Sequence, residues 1–299
     1  MQFEIKPSGP FSLTLANRYF GGWLSLDPKT TAPVVAFPVE GWNTAAAVIM
    51  RQDEGGSVVG EVHTAPDAAE AAWWQALATL SLDMDGSAWP EVGSCDSVIG
   101  RLQQKYEWLR PVLFHSPYEA AAAFVIGHRI SIQQGRAIRQ LMAQELGEVV
   151  QVGEVSIPTF PRPQVLREVS SFKGVSAEKI ARLHNIAQAA LDGLLDRAYL
   201  RSIAREQALK ELCALSGIGP FFAQGILLRG AGIVDEVTDD DITKQAVQRA
   251  YQLPQLPNHS AVLEIAEAWR PYRMWANVLL HVWLRSEAGG PLRQGKRGK

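Results

Sequence analysis

The stretch Leu215-Ser216-Gly217-Ile218-Gly219-Pro220-Phe221-Phe222-Ala223 decides how the rest of the chain is read. Ala208, Leu209, Leu212 and Leu215 recur at helical spacing up to it. Gly217 and Gly219 then let the backbone reverse where side chains would collide. Ile218 is placed to point back into the core and pin the reversal. Pro220 suits the first turn of a second helix, where a missing N–H is no loss. The expected product is two helices joined by a tight hairpin. The second helix presents unpaired N–H groups and the positive end of its dipole beside two glycines. That is a phosphate-gripping device, and contacts of this type hold a nucleic acid without reading its sequence. Taken by itself, Gly-x-Gly-Pro can equally be a plain connector between helices.

Downstream stands the acidic run Asp239-Asp240-Asp241, at the start of the next helical pattern. An acidic run there caps a helix and complements its dipole. A carboxylate held near a phosphate grip also points to chemistry on DNA, and neither feature does so alone.

Composition bounds these readings. The 299 residues can bury a large core and hold two domains, and 47% hydrophobic with 20% charged residues is ordinary for a globular protein. The net charge of −2 counts against a broad basic face, so any phosphate grip is local. Cys95 and Cys213 are too few and too far apart for a disulfide scaffold, a Cys-x-x-Cys metal site or a four-cysteine iron–sulfur cluster. They fit a reducing cytoplasm. The six histidines (63, 115, 128, 184, 259 and 281) lack metal-ligand spacing, so no catalytic metal and no cofactor is expected. No run of about 18 apolar residues appears, and the first residues lack the signal-peptide pattern, so a cytoplasmic, membrane-free protein is expected.

Working outward, residues 1 to about 90 read as mixed. Val34–Val39, Ala45–Met50 and Ser57–Val62 are strand-like, and Asp53-Glu54-Gly55-Gly56 reads as a hairpin turn between the last two. A helix is expected from Pro66 to about Leu82, with Trp73, Leu77 and Leu80 on one face. From about Ser94 the pattern is almost all helical. Ser116-Pro117-Tyr118-Glu119 spells a capped helix start with a capping box, and Ser131-Ile132-Gln133-Gln134 spells a second, running to Gly147. Between them the periodicity stumbles at Gly127-His128-Arg129-Ile130, which puts Arg129 on a short turn. Thr159-Phe160-Pro161-Arg162-Pro163 is a stiff connector. Ser176–Leu191 is an amphipathic helix stopped by Gly193, and a last apolar helix is expected from Ala261 through Trp283. The expected class is α+β, mostly α: a mixed domain with an antiparallel sheet at 1–92, a helical region at 93–288 and a disordered basic tail at 289–299.

These motifs together resemble the helix-hairpin-helix DNA glycosylases, in the 3-methyladenine DNA glycosylase II (AlkA-like) branch. The resemblance runs through Ser116–Glu148, Phe160–Gly193, Leu215–Gly230 and Trp269-Arg270-Pro271-Tyr272-Arg273 to Trp283, most of the chain. It implies base-excision repair of alkylated duplex DNA by a monomer that flips the damaged base out and hydrolyses its N-glycosidic bond. Asp240, followed by Lys244 at +4, matches the family's catalytic aspartate, with Asp239 and Asp241 as the alternates. The carboxylate would stabilise the cation-like sugar and orient the attacking water. Gly217, Ile218, Gly219 and Phe221 take the phosphate-binding role. Arg129, beside His128, falls where the family inserts a wedge, although an apolar residue is common there; it would fill the gap in the stack or contact phosphate. Phe221, Phe222, Trp275 and Trp283 are the base-pocket candidates, because a positively charged alkylated base favours aromatic faces. Phe221 replaces both the tryptophan of the AlkA-like branch and the lysine of bifunctional relatives, which implies a monofunctional enzyme without a Schiff base or lyase step. The resemblance also implies a monovalent cation on the carbonyls of Leu215, Gly217 and Ile218. Two other readings remain open: a non-catalytic DNA-binding relative, and a glycosylase for oxidised or deaminated bases.

Overall fold

The structure, a computed structural model, describes residues 1–20, 24–25, 32–106 and 109–287. The expected tail at 289–299 lies outside the described residues. The fold is mostly helical, with a small antiparallel sheet towards the N-terminus, as the sequence class predicts. Contacts divide the chain into two compact units. The first holds residues 1–8, 12–85 and 112–233; the second holds 9–11, 86–111 and 234–299. This line differs from the 1–92 and 93–288 division drawn from composition. Apolar contacts tie the sheet and the middle helices into one unit, which patterning along the sequence cannot show.

The first unit opens with strand β1 (Gln2–Ile5), helix α1 (Leu13–Phe20) and strands β2 (Leu24–Ser25), β3 (Pro33–Pro38), β4 (Ala45–Gln52) and β5 (Val58–His63). They form one antiparallel sheet in the order β1-β5-β4-β3-β2. The β4–β5 hairpin pairs Gln52 with Val58, and its turn is closed by the Asp53 side chain accepting the Ser57 N–H at 2.8 Å. Helix α2 (Ala69–Thr79), entered through a 3₁₀ turn at Pro66–Ala68, buries Trp73 and Leu77, with Leu80 buried just beyond its end.

Helices α5 (Pro117–Gly127), α6 (Ile132–Leu146), α7 (Pro163–Arg167), α8 (Ala177–Leu191), α9 (Arg197–Ser202), α10 (Arg205–Cys213) and α11 (Pro220–Ile226) complete the unit. Their core holds Ile126, Leu183, Ile186, Leu212, Ile218 and Ile226. Ser131 and Gln134 form the reciprocal capping box at α6. At α5 only half of the expected box forms: Ser116 accepts the Glu119 N–H at 3.1 Å, while the Glu119 carboxyl is buried away from it. A β-hairpin of β6 (Val149–Val152) and β7 (Val155–Pro158) interrupts the region expected to be helical. It packs Val150, Val152 and Ile157 against Ala45, Ala47 and Ile49 of β4. The strict alternation Val150-Gln151-Val152, with Gly153 at the turn (φ 59°), is its signature.

Burial in this unit includes charge. Arg197 lies 3.8 Å from Glu40 and donates to the His115 carbonyl at 2.8 Å. The His115 ring meets the Thr79 hydroxyl at 3.2 Å. Burial pushes the Glu40 carboxyl up to about 7 and that of Glu119 up to about 8, against the opposing pull of Arg197 on both and of Arg139 on Glu119. It also pushes the His115 imidazole down to about 4, with Arg197 and Arg139 adding to the shift.

The second unit is built from α3 (Trp89–Cys95), α4 (Ser97–Tyr106), α12 (Asp241–Ala250), α13 (His259–Ala266) and α14 (Arg273–Glu287). Asp96 joins several of them. One oxygen accepts the N–H groups of Val98 and Ile99, and the other accepts the Tyr251 hydroxyl and Trp269 Nε1. The single helix expected from Ala261 through Trp283 is broken. Pro271 has no N–H and clashes with helical backbone, so Arg270 is extended (φ −62°, ψ 143°) and α14 starts afresh at Arg273.

Candidate active site

In the first unit the hairpin forms as the sequence predicts. Gly217 takes φ 85°, Ile218 donates to the Leu215 carbonyl at 3.0 Å, and the Ile218 side chain is buried. Ala223 donates to the Gly219 carbonyl at 2.9 Å, so the N–H groups of Phe221 and Phe222 precede the first intrahelical bond. The helix continues past Ile226 as a π turn at Leu227–Ala231. The two glycines serve different ends. A Cβ on Gly217 would stand 2.5 Å from Arg182 Cδ, because the Arg182 stem lies over the turn. A Cβ on Gly219 would meet nothing within 4 Å, so the helix mouth is open.

Beside the hairpin lies the turn that follows α5. Arg129 is exposed on it with φ 60°, a strained conformation for a side-chain-bearing residue. Lys179 at the start of α8 holds this turn, donating to the carbonyls of Ile126 at 2.7 Å and His128 at 2.8 Å. The carbonyls left over at the end of α5 thus have a cation to accept from. Phe222 joins turn to hairpin: it stacks on Phe124 with centroids 5.2 Å apart and meets His128 edge-on at 5.7 Å. Phe221 is tilted against Phe222 at 5.9 Å and is 56% exposed, large for a phenylalanine. The structure therefore gathers Gly217, Ile218, Gly219, Phe221, Phe222, His128 and Arg129 into one surface region. Lys179 and Arg182 belong to it as well, and nothing in their local sequence marks them.

In the second unit the three aspartates differ sharply. Asp239 is exposed and held by Lys244 at 2.6 Å, with His259 at 3.8 Å. The bond from Lys244 holds its carboxyl below the usual range. Asp241 is exposed in the first turn of α12. Asp240 is half-buried and N-caps α12, with both oxygens engaged by one residue. Its Oδ1 accepts the Thr243 N–H at 2.8 Å and its Oδ2 accepts the Thr243 hydroxyl at 2.9 Å. The positive end of the helix dipole complements that carboxylate.

Behind Asp240, Thr243 is fully buried and meets Thr238 Oγ1 at 2.8 Å, Asn277 Oδ1 at 3.1 Å and His281 Nε2 at 2.9 Å. Asn277 Nδ2 donates to Thr238 at 2.8 Å. The segment entering the site is braced by the Trp269–Arg273 motif. Arg273 donates to Asp235 Oδ1 at 2.6 Å and to its carbonyl at 2.7 Å, Arg270 pairs with the same carboxylate, and Met274 donates to the Val234 carbonyl at 2.8 Å.

Trp275 is 1% exposed, packed between Trp89 at 5.8 Å and Tyr272 at 4.9 Å with the Arg110 guanidinium over its ring at 5.2 Å. Trp283 is partly buried on α14. Sequence reasoning missed Thr238, Asn277 and His281; the Asp-x-x-Thr capping spacing was the one local signal for Thr243. Among the described residues no cluster of three or more His, Cys, Asp or Glu could hold a metal ion, and no helix is long and apolar enough to cross a membrane.

No protein-family model matches the chain. It is 28% identical over 214 residues to DNA-3-methyladenine glycosylase 2 of Escherichia coli, covering 70% of this chain and 71% of that protein. It is 24% identical over 177 residues to the putative DNA-3-methyladenine glycosylase YfjP of Bacillus subtilis, covering 58% of this chain and 60% of that protein. Among solved structures, a 3-methyladenine DNA-glycosylase from Archaeoglobus fulgidus superposes with a TM-score of 0.72 at 20% identity, covering 95% of this chain and 98% of that one. An 8-oxoguanine glycosylase/lyase from Clostridium acetobutylicum, bound to duplex DNA, gives 0.68 at 17%, covering 96% and 98%. Over nearly its whole length the chain therefore has the fold of these DNA glycosylases, and its relatives by sequence are named DNA-3-methyladenine glycosylases.

Proposed function

We propose that the protein is a monofunctional, AlkA-like DNA glycosylase that removes alkylated bases of the 3-methyladenine type from duplex DNA. One observation carries the reading most: of three adjacent aspartates, Asp240 alone is half-buried, caps a helix and has both oxygens oriented by a single buried residue. The second, side-chain bond fixes the orientation of the carboxylate, which the backbone cap alone leaves free to turn.

In the proposed reaction the hairpin N–H groups take a backbone phosphate, and the target base leaves the stack. Arg129, on its strained and clamped turn, occupies the gap. Alkylation leaves the base positively charged, which makes it a better leaving group and a partner for the faces of Phe221 and Phe222. As the glycosidic bond breaks, Asp240 stabilises the cation-like sugar and orients the water that completes hydrolysis. Phe221 offers no amine for a Schiff base, so strand cleavage is not expected. The carbonyls of Leu215, Gly217 and Ile218 suit a monovalent cation at the phosphate. Leu215 O already accepts from Ile218 and keeps a second lone pair for one.

The test is release of free base from methylated duplex DNA, with products identified by mass. Asp240→Asn should abolish release while retaining duplex binding. Near-parent release by that variant would move the role to Asp239 or Asp241. Preferential release of 8-oxoguanine, in line with the oxidised-base glycosylase fold neighbour, would replace the alkylbase reading.

A further inference from the structure

The buried polar cluster behind Asp240 does more than fill space, because its protons must be shared in one direction. Thr243 Oγ1 has a single proton and two lone pairs, yet four polar atoms lie within 3.1 Å of it: Asp240 Oδ2, Thr238 Oγ1, Asn277 Oδ1 and His281 Nε2. A carboxylate oxygen only accepts. To reach Asp240 Oδ2, the Thr243 proton must be withheld from every other neighbour. Asn277 Nδ2 donates to Thr238, which leaves the Thr238 proton to turn towards Thr243. The second lone pair of Thr243 then requires a donor, and His281 Nε2 at 2.9 Å is the atom in place.

We propose that His281 is a positioning residue for Asp240: with a proton on Nε2 it donates to Thr243 and thereby turns the Thr243 hydroxyl onto the aspartate. This rests on the reading of Asp240 as the catalytic carboxylate. If His281 instead carried its proton on Nδ1, Nε2 would compete for the Thr243 proton and Asp240 Oδ2 would lose its donor. Asn277 Oδ1 also accepts only, and at 3.1 Å it is the more distant of the two acceptors, against 2.9 Å for Asp240 Oδ2. With His281 donating, the Thr243 proton is left to these two and the shorter contact takes it, so that Asp240 is held by two bonds rather than one. The side chains involved come from the segment before α12, from α12 and from α14, and Thr243 and Asn277 are closed to solvent.

The experiment uses the full chain, with single-turnover base release from methylated duplex, duplex affinity and thermal melting measured for each variant. His281→Phe keeps an aromatic ring but loses the donor. It should slow the single-turnover rate by about 10- to 100-fold, the range for a charge-assisted hydrogen bond in a reacting site, with affinity and melting close to the parent. His281→Gln, whose amide nitrogen reaches the Nε2 position and can only donate, should restore most of the rate. A parent-like rate for His281→Phe beside an inactive Asp240→Asn overturns the inference alone. A glutamine variant as slow as the phenylalanine one overturns it too. Activity in Asp240→Asn overturns the underlying reading and the inference with it. Should His281→Phe not fold, nitrogen-15 NMR of the parent protein decides: the Nε2–H form of His281 supports the proposal and the Nδ1–H form refutes it.

Discussion

Replacing Gly217 and Gly219 by alanine, one at a time, separates what the hairpin needs to fold from what it needs to bind. Gly217 sits at φ 85°, which costs an L-residue about 1–2 kcal/mol. An added methyl would also stand 2.5 Å from Arg182 Cδ, although that stem is flexible and its exposed pairing with Glu178 adds little. Part of the loss is regained because alanine has less unfolded-state freedom than glycine. The net is a loss of about 1–2 kcal/mol, a fall in melting temperature of about 2–8 °C.

Gly219 behaves oppositely. Its φ of −88° and ψ of 177° suit any residue, and its Cβ position is empty to 4 Å. Gly219→Ala should therefore melt at or slightly above the parent. Its methyl, however, stands at the mouth of α11, where a phosphate must approach the Phe221 and Phe222 N–H groups to about 2.9 Å. Losing one such bond to a charged oxygen is worth about 1.5–3 kcal/mol, about 10-fold or more in affinity. Gly219→Asp adds like-charge repulsion and should bind all duplex sequences worse still, and to a similar degree. Fluorescence anisotropy with undamaged duplex at one fixed, moderate salt concentration reads the affinity. Parent affinity in Gly219→Asp would refute the phosphate grip, and a parent-like melt in Gly217→Ala would refute the division of labour.

Lys179→Met should loosen the turn that carries Arg129, lowering stability by about 1–3 kcal/mol for two part-buried bonds to carbonyls and speeding amide exchange at Arg129 and Ile130; unchanged exchange there would remove Lys179 from the support of the proposed wedge. Arg129→Gly relieves the φ 60° strain, so it should match or exceed the parent in melting while releasing base more slowly; parent-like release would leave Arg129 without a role. The buried carboxyls make stability depend on pH. Glu40 and Glu119 have folded values of about 7 and 8 against 4.5 when unfolded, so the folded state takes up protons first and gains stability as pH falls from about 8 towards 5. His115, lowered from 6.5 to about 4, works against this below about 6.5. The parent should melt higher at pH 6 than at pH 8, and Glu119→Gln should flatten the difference; an equal slope in both proteins would show that Glu119 is charged throughout.

Much of the fold was legible because its signals are local. The caps at Ser116, Ser131 and Ser176, the turn at Asp53–Gly56 and the glycines of the hairpin all act within a few residues of themselves. The β6–β7 hairpin was hidden because four-residue strands carry little periodic signal between long helical patterns, and its stability comes from β4, far away in sequence. The break at Pro271 is masked in the pattern because apolar residues continue at helical spacing on either side of it. Within Asp239-Asp240-Asp241 the resemblance favours Asp240, but the different surroundings of the three carboxylates are not legible in the sequence, for a similar reason. Lys244 and His259 on one side, and the Thr243 cluster on the other, distinguish carboxylates that the letters do not. His281 and Asn277 stand on a different helix from Asp240, and Lys179 reaches its carbonyls across the fold. Such partners leave no spacing to read.

The way contacts partition the chain bears on how the protein can be made and cut. Segment 86–111 belongs to the unit that also holds Asp240, yet it is synthesised between two parts of the unit that holds the hairpin. On the ribosome, every segment of the hairpin unit has been made by residue 233, before Asp240, Thr243 and His281 exist. A fragment ending there would carry the phosphate-gripping turn without the aspartate. The converse fragment cannot be cut from the gene as one piece, since α3 and α4 are coded upstream of the hairpin. Expression of the unit that holds Asp240 would therefore require joining 86–111 to 234–287 by a new linker, an internal deletion rather than a truncation.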